Sequence, residues 1–233
     1  MKKAINTVLF AYNFPHQKTI DVIHRVYQAG FSIALILAAD YVFIKSPISV
    51  FKFNKPKSIS HPEKIAKQYN IPFFVLNHNS EQSIFLLKKH KINLGIIGGA
   101  RILKDDVIQI LKYGILNFHP GILPYIRGLD SILWSIEKEY PIGVTAHLIN
   151  KKIDAGFLVC QQIISISSED DIYSLYKKNY ELQLELIPIS LNLILEKNKF
   201  KVLAMGEYNQ KMSCSQQLDL KGKVTQYINK YIS

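Results

Sequence analysis

The chain has 233 residues, of which 48% are hydrophobic and 20% are charged. This length allows one large domain, or one domain with a small appendage, and it buries a core without help from disulfides or metals. Plentiful Phe and Tyr exclude general disorder. The net charge of +11 suits nucleic acid, an anionic membrane or a phosphorylated small molecule, but a general bias toward lysine explains the charge equally well.

Cysteine content and the lengths of the apolar runs restrict the compartment. Cys160 and Cys214 are too few for a disulfide framework, and no His/Cys cluster has zinc spacing, so we expect a cytoplasmic protein without a metal. The apolar start imitates a signal peptide but is short and lacks a small-residue cleavage site, which favours a first strand. No uncharged segment approaches the roughly 20 residues that span a bilayer, so no membrane partner is expected.

The first two thirds of the chain alternates short apolar runs with longer amphipathic runs, which is typical of a parallel sheet with crossover helices. The predicted strands are Ile5–Ala11, Ile33–Ala38, Phe73–Leu76, Ile92–Ile97 and Ile115–Phe118. The predicted helices run from an N-cap at Thr19 to Gly30, then over Glu63–Tyr69, Ser80–Lys89 and Asp105–Lys112. The polar, lysine-rich segment from Lys45 to Ser60 is predicted to be a surface excursion.

The pattern changes after residue 118. Extended segments around Val144–Leu148 and Phe157–Gln161 are joined by a turn at Asn150–Asp154, and a long helix follows with Ser168 as its N-cap. Pro188 should kink or interrupt this helix, because proline has no N–H to donate. The tail from Gly206 is polar and sparse in large aliphatic residues. Together these elements predict an α/β fold with a mostly parallel sheet flanked by helices.

Polar residues at the carboxyl ends of strands are the first candidates for a site, because ligands bind there in open parallel sheets. Asn117 and His119 alternate at the end of one strand, so their side chains point to the same side of the sheet. An amide donor beside an imidazole suits acyl transfer, in which an oxyanion develops and a proton moves. Asp154 could orient His119. The alternatives are a turn-capping Asn, a structural His and an ordinary turn Asp.

Further motifs accompany these three residues in a fixed order along the chain. They are Asn117-x-His119-Pro120, Leu123-Pro124, Arg127-Gly128, Trp134, Gly143-Val144-Thr145-x-His147 and Asp154-x-Gly156. The set resembles the formyltransferase family that uses N10-formyltetrahydrofolate, with the similarity running from about residue 92 to residue 164. The resemblance implies a Rossmann-like catalytic domain over residues 1–200 with a short C-terminal extension over 201–233. It also implies that Asn117, His119 and Asp154 form the catalytic set.

The resemblance further implies a mechanism and a folate site. An acceptor amine would attack the formyl carbon while Asn117 and protonated His119 stabilise the oxyanion, and Asp154 would hold His119 and relay a proton. His147 is interpreted as a support for the nearby loop rather than as a catalytic residue. The residues implied to hold the folate are Ala100, Arg101, Ile102 and Leu103 together with Asn150 and Ile153.

The acceptor is inferred from features that other branches of the family have. The segment over residues 11–18 lacks the phosphate loop of glycinamide ribonucleotide formyltransferases, and the tail after Phe200 is too short for the C-terminal barrel of methionyl-tRNA formyltransferases. The chain also starts directly on its first strand, without the N-terminal regulatory domain of formyltetrahydrofolate hydrolases. We therefore expect a nucleotide-sugar N-formyltransferase of surface polysaccharide (O-antigen) synthesis, with dTDP-4-amino-4,6-dideoxyglucose as the best candidate acceptor. Glycinamide ribonucleotide or another small amine is the alternative.

Three residues are expected to contact the nucleotide sugar. Arg127 could pair with phosphate oxygens, Asn13 follows the first strand, and Tyr208 resembles a tail element that some sugar formyltransferases place against the base. The alternatives are a surface arginine, an incidental Asn and a packed Tyr. The tail would suit a partner surface, so a homodimer is expected.

Two other interpretations use fewer of these features. The basic stretch Lys45–Lys57 holds Phe51 and Phe53, which would suit a nucleic-acid-binding protein, but that interpretation leaves Asn117, His119 and Asp154 without a role. A catalytically silent relative that binds only folate or nucleotide is disfavoured because all three positions are intact.

Overall fold

A computed structural model describes residues 4–43, 49–53, 58–152, 154–197 and 199–232. The strands are β1 (Thr7–Tyr12), β2 (Leu35–Ala39), β3 (Phe73–Val75), β4 (Leu94–Ile97), β5 (Ile115–His119), β6 (Arg127–Gly128), β7 (Gly143–Leu148), β8 (Phe157–Ile163), β9 (Lys201–Val202) and β10 (Tyr208–Asn209). The helices are α1 (Gln17–Gln28), α2 (Pro62–Gln68), α3 (Glu81–Lys89), α4 (Asp105–Ile108), α5 (Ser131–Glu137), α6 (Ile172–Glu196), α7 (Cys214–Lys221) and α8 (Val224–Tyr231).

Eight of these strands form one sheet in the order β3-β2-β1-β4-β5-β7-β8-β9. The strands from β1 to β5 are parallel, whereas β7, β8 and β9 run antiparallel to their neighbours. Strands β6 and β10 form a separate parallel pair. The direction changes between β5 and β7, the two strands that carry Asn117 and His147 at paired positions. The predicted α/β fold with a mostly parallel, Rossmann-like sheet is confirmed.

Helices cover both faces of the sheet, and the alternation along β1 separates two apolar clusters. Leu9 faces one cluster, which includes residues of α1, α2, α5 and α6. Val8 and Phe10 face the other, which includes residues of α3 and α4. This two-sided burial explains why the parallel strands are continuous apolar runs rather than alternating ones.

Two predicted N-caps are wrong. Helix α1 begins at Gln17, two residues before Thr19, and Thr19 is fully buried with its hydroxyl donating to the carbonyl of Gly98. Helix α6 is capped by Asp171 rather than Ser168, because Asp171 and Ser174 exchange side-chain and backbone hydrogen bonds in a capping box. Gly30 closes α1 with φ of 78°, as predicted, and α4 ends before the predicted Lys112.

Helix α6 continues through Pro188, so of the two predicted outcomes, a kink or an interruption, the interruption is wrong. Proline leaves the carbonyl four residues earlier, that of Leu184, without its helical donor. Arg25 Nε on α1 donates to this oxygen at 3.3 Å. A neighbouring helix therefore satisfies the carbonyl that Pro188 cannot, and the helix tolerates the proline.

The C-terminal segment is more ordered than its polar composition predicts. Strand β9 extends the main sheet, β10 pairs with β6, and α7 and α8 pack against the domain. Leu220, Val224, Tyr227 and Ile228 belong to the same apolar cluster as α6. The Tyr227 hydroxyl also accepts from the backbone N–H of Ile142. A few well-spaced apolar residues are sufficient to anchor this segment.

The basic stretch Lys45–Lys57 is described only over residues 49–53. Within this part, Phe51 is 5% exposed and the backbone N–H of Val50 donates to Gln217 Oε1 on α7. The ring of Phe53 contacts the ring of Tyr176 on α6. Phe51 therefore packs inside the protein, whereas Phe53 keeps 42% of its surface exposed beside Tyr176, so only one of the two aromatic residues is accessible to a nucleic acid. Of the lysines in this stretch, Lys52 is described, whereas Lys45, Lys55 and Lys57 lie outside the described residues.

Candidate active site

A cavity of about 930 Å³ opens at the carboxyl ends of β1, β4 and β5. The strand order reverses between β1 and β4, which is where open α/β sheets bind ligands. Its lining includes Asn117, His119, Asp154, Ser131, Lys18 and Tyr208. The three residues that the sequence predicts as a catalytic set therefore meet on one wall of one cavity.

Asn117 is held by a histidine on the adjacent antiparallel strand. Its Nδ2 lies 3.1 Å from Nε2 of His147, the residue paired with it across β5 and β7. His147 Nδ1 lies 2.9 Å from the carbonyl oxygen of Ala155, so Nδ1 carries the proton and Nε2 accepts from Asn117. One amide hydrogen of Asn117 is fixed in this way. The other is available to a ligand in the cavity.

His147 is fully buried, and burial lowers its pKa from 6.5 to about 4, with a further decrease from the charge of His119. The imidazole is therefore neutral near pH 7, as its acceptor role toward Asn117 requires. The contact with Ala155 confirms the predicted support of the loop. The contact with Asn117 was not predicted, because it depends on the register between β5 and β7.

His119 stands at the end of β5 and is 3% exposed. Its Nε2 lies 2.7 Å from the carbonyl oxygen of Ile126 and 3.3 Å from Ser131 Oγ, and its Nδ1 lies 3.4 Å from Asp154 Oδ1. An oxygen acceptor faces each ring nitrogen, the Ile126 carbonyl at Nε2 and the Asp154 carboxylate at Nδ1. Only a ring with a hydrogen on both nitrogens can donate to both acceptors. With Nε2 engaged by Ile126, the geometry favours a fixed positive charge over direct proton donation from Nε2.

The Asp154 carboxylate connects His119 to β6. Its Oδ1 faces His119, and its Oδ2 accepts from the backbone N–H of Gly128 at 3.0 Å. Burial alone would raise the pKa of the Asp154 carboxyl, but the hydrogen bond and charge of His119, the charge that His147 carries once it is protonated in acid, and the Gly128 N–H together lower it below its usual value of 3.8. The carboxylate is therefore ionised at neutral pH.

The turn that delivers Asp154 is unusually tight. Asp154 itself has φ of 46° and Gly156 has φ of 110°. A Cβ on Gly156 would lie 2.1 Å from the carbonyl oxygen of Leu148, so only glycine fits where the turn passes the end of β7. In the motif Asp154-x-Gly156, the aspartate supplies the carboxylate that faces His119, and the glycine is required by the backbone conformation of the turn.

The residues implied to hold a folate surround a smaller cavity of about 200 Å³ that shares Asn117 and Asp154 with the large one. Its lining includes Ala100, Arg101, Ile102, Leu103, Ile149 and Asn150. The Arg101 guanidinium donates to the carbonyl of Val42, and Asn150 Oδ1 accepts from the backbone N–H of Lys152. Ile153 lies outside the described residues.

Of the three residues predicted to bind the acceptor, only Tyr208 lines the large cavity. The Arg127 guanidinium lies 5.4 Å from the centre of the Tyr208 ring. Arg127 itself is not in the lining, because its Nη1 donates to the carbonyl of Gly206. Asn13 is also outside the lining, since its amide donates to Asp40 Oδ1. The structure therefore directs both predicted side chains to the protein rather than to the cavity.

Like Asn13, Lys18 follows the first strand, and the alternative interpretation is an incidental lysine in a lysine-rich chain. The structure places Lys18 in the lining of the large cavity. Its Nζ donates to Gln183 Oε1 at 2.7 Å, and no carboxylate lies within ion-pair distance among the described residues. Burial lowers its pKa from 10.5 to about 8. The amine is still mostly charged near pH 7. Its position after β1 was the only signal in the sequence that could have identified it.

The described part of the chain contains no group of three or more His, Cys, Asp or Glu residues arranged to hold a metal ion. Within the same part, no helix has both the length and the apolar character needed to cross a membrane.

Known proteins resemble the chain over the region that carries this site. Residues 44–191, more than half of the chain, match the family described as formyl transferase. The bifunctional polymyxin resistance protein ArnA of Wigglesworthia glossinidia brevipalpis is 36% identical over 143 residues, which are 60% of this chain and 22% of that protein. Methionyl-tRNA formyltransferases are also among the relatives, and the chain spans 46%, 44% and 43% of the length of three of them.

Solved structures share the fold at low sequence identity. A sugar N-formyltransferase from Shewanella sp FDAARGOS_354 has a TM-score of 0.63 at 18% identity, covering 93% of this chain and 87% of that one. A phosphoribosylglycinamide formyltransferase from Anaplasma phagocytophilum has a TM-score of 0.64 at 19% identity, covering 89% of this chain and 100% of that one. The chain spans less than half of the length of the first curated relatives that it matches.

Proposed function

The chain belongs to the formyl transferase family, and from this premise we propose that it transfers a formyl group from N10-formyltetrahydrofolate to the amine of a nucleotide-linked amino sugar. The best candidate acceptor is dTDP-4-amino-4,6-dideoxyglucose. The observation that carries the proposal is the convergence of Asn117, His119 and Asp154 on a cavity beside the implied folate site.

The residues around the smaller cavity have the chemistry that a folate requires. Apolar side chains of Ile102, Leu103 and Ile149 can cover a flat heterocycle, while Asn150 and the neighbouring backbone offer polar groups to its edge. When bound, the folate supplies the formyl group. Asn117 and Asp154 line both cavities, so the reacting carbon would sit where these two residues meet.

Each residue of the set has a separate task in the proposed transfer. A new C–N bond forms to the acceptor nitrogen, the bond from the formyl carbon to N10 breaks, and one amine proton is passed on to N10. Asn117 Nδ2 would donate to the oxygen as it becomes negative, and the charged ring of His119 would stabilise the same oxygen. Asp154 would keep His119 charged and receive the amine proton, through water, before it reaches N10.

An anionic acceptor is supported by the other side of the large cavity. Lys18 places a half-buried amine there with Gln183 as its partner, and a phosphate oxygen would supply the negative charge that the described residues do not. Tyr208 offers an aromatic ring to a base or sugar in the same cavity. The volume of about 930 Å³ accommodates a ligand as large as a nucleotide sugar.

The structural similarity to a sugar N-formyltransferase across 93% of the chain supports the same acceptor class. Glycinamide ribonucleotide is the second candidate, since a phosphoribosylglycinamide formyltransferase has a similar TM-score and its substrate also carries phosphate. The two acceptors differ in size and in the number of phosphates.

Product analysis tests the proposal. The purified protein is incubated with N10-formyltetrahydrofolate and, separately, with nucleotide-linked 3-amino and 4-amino sugars and with glycinamide ribonucleotide. We expect a mass gain of one formyl group on a nucleotide sugar, and no gain with the Asn117→Ala variant. Formylation of glycinamide ribonucleotide alone would replace the proposed acceptor, and no transfer to any amine would contradict the function.

A homodimer and a cytoplasmic location remain predictions. Size-exclusion chromatography with light scattering at several concentrations tests the first, and cell fractionation tests the second.

A further inference from the structure

The tail segment over residues 206–212 is bonded along one side to the segment over residues 126–131. Strand β10 pairs with β6 in parallel, and the backbone N–H of Leu129 donates to the carbonyl of Asn209 at 2.9 Å. The Asn209 side chain donates to the carbonyl of Arg127 at 2.9 Å. Beyond the strands, Trp134 Nε1 donates to the carbonyl of Gln210, and Asp130 Oδ2 accepts from the backbone N–H of Met212.

The other side of the segment over residues 126–131 holds the candidate catalytic pair. The carbonyl of Ile126 accepts from His119 Nε2 at 2.7 Å, and the N–H of Gly128 donates to Asp154 Oδ2 at 3.0 Å. Ser131 Oγ also contacts His119 Nε2. The segment therefore lies between the catalytic pair and the tail, with hydrogen bonds to both.

Gly128 allows the backbones of β6 and β10 to approach each other closely. It has φ of 101°, and a Cβ there would lie 2.3 Å from the carbonyl oxygen of Asn209. The backbone of β6 and that of β10 thus approach to a distance that excludes any side chain at residue 128. A displacement of the tail would therefore move the backbone N–H of Gly128 that donates to Asp154.

From these contacts we propose that the tail segment 206–212 positions the catalytic pair, with Asn209 as the positioning residue. Asn209 does not reach the cavity. Its side chain is 4% exposed, and its amide fixes the carbonyl of Arg127, one peptide before Gly128. Through this bond Asn209 holds the Gly128 N–H in position to donate to Asp154. The inference rests on the proposed function, in which His119 and Asp154 are catalytic.

If the tail holds β6 in place, loosening the tail should change the pKa of the Asp154 carboxyl. The titratable groups that face Asp154 are His119 on β5 and His147 on β7, and Arg101, Lys151 and Lys152 line the adjoining cavity. The Gly128 N–H is one of the groups that lower the pKa of the Asp154 carboxyl. Loosening β6 removes this donor, so the carboxylate should take up a proton at a higher pH than in the wild type.

The test compares Asn209→Asp, which keeps the shape but loses the donor, and Asn209→Ala with the wild type. We expect kcat to fall about fivefold to tenfold, as the loss of one or more hydrogen bonds implies. KM values for folate and acceptor should stay within about twofold, and the acid limb of the kcat profile should move to higher pH. Gln210→Ala is the matched control, because its exposed side chain is changed while the backbone carbonyl to Trp134 remains.

Two further measurements distinguish a failure of the inference from a variant that does not fold and from a failure of the proposed function. Trp134→Phe removes the next tail contact and should act in the same direction if Asn209→Ala does not fold. Without any substrate, the pH titration of the Asp154 carboxyl followed by NMR should lie at higher pH in Asn209→Ala than in the wild type. A folded Asn209→Ala protein with wild-type kcat, acid limb and Asp154 titration would overturn the inference. An inactive wild type with a tail-dependent Asp154 titration would overturn only the function.

Discussion

The two sides of the large cavity are built in different ways. The inner wall consists of Asn117, His119 and Asp154, and each of these side chains has a polar partner from the protein. The buried His147 holds Asn117 but does not line the cavity. The rim, consisting of Lys18 and Tyr208, is half-buried, and the Lys18 amine is held by one neutral amide.

This difference separates the two tasks that an acyl-transfer site performs. A preorganised wall stabilises charge at a fixed point without reorganisation during the reaction, which suits the chemical step. An incompletely satisfied rim gains partners only when a ligand arrives, which suits selection of the acceptor. We therefore expect substitutions in the inner wall to change kcat and substitutions at the rim to change the KM for the acceptor.

The largest expected effect comes from His119→Gln in the inner wall. Removing the charged ring should lower kcat by roughly 10²- to 10³-fold, the range typical of losing one group that stabilises an oxyanion. The KM for the acceptor should change by less than about threefold, because the rim is untouched. Steady-state kinetics measure both, with His90→Gln at the end of α3 as a control outside the cavity. A larger change in KM than in kcat would contradict the division.

A pH effect on stability tests the neutral state of His147. Between about pH 6.5 and pH 4 the unfolded chain binds a proton at His147 that the folded chain excludes, so stability falls as the pH falls through this window. The loss amounts to up to about 3 kcal/mol for a shift of this size. Urea unfolding of the wild type and His147→Gln measures it. Equal pH slopes in the two proteins would contradict the buried, neutral imidazole.

At the rim, Lys18→Met should raise the KM for a phosphorylated acceptor about tenfold or more, since a hydrogen bond to a charged group is lost. The kcat value should stay near that of the wild type. Because the pKa of Lys18 is about 8, the wild type should show the same rise in KM as the pH increases through 8. The Lys18→Met variant should lack this dependence. An unchanged KM in Lys18→Met would remove the lysine from the acceptor site.

The smallest effect is expected at Tyr208. Tyr208→Ala removes a half-buried ring that lines the cavity beside Arg127, and should raise the KM for the acceptor two- to fivefold, as the loss of a contact of about 0.5–1 kcal/mol implies. Tyr208→Phe keeps the ring and should behave like the wild type. If Tyr208→Ala lowers kcat instead, Tyr208 acts through the inner wall and not at the rim.

Sequence reasoning brought Asn117, His119 and Asp154 to one cavity, and it was least successful for the rim and the tail. Asn117 and His119 follow from their alternation at the end of β5, because local rules fix where a strand ends, and Asp154 follows from a family pattern at the turn after β7. Contacts between distant segments have no such local signal. The bond from Asn117 to His147 depends on the register of two antiparallel strands, and the pairing of β10 with β6 joins residues about eighty positions apart.

The same limit explains the helix that runs through Pro188. The sequence specifies the missing donor at this position, but the replacement comes from Arg25 on a helix far away in the chain. Arg127 shows the converse case. Its position after the catalytic strand predicts a phosphate contact, whereas the tail supplies it with the carbonyl of Gly206 and the ring of Tyr208.

Single-turnover transfer of ¹³C-formyl by the wild type and Asn117→Ala, with folate saturating and the formylated acceptor quantified by mass spectrometry, tests the central claim most directly. The inner-wall account predicts a rate on the order of a hundredfold lower or more in Asn117→Ala, because one oxyanion donor is lost. The Kd for folate and the KM for the acceptor should be nearly unchanged. Equal rates in the two proteins, or a loss explained by weaker binding alone, would contradict it.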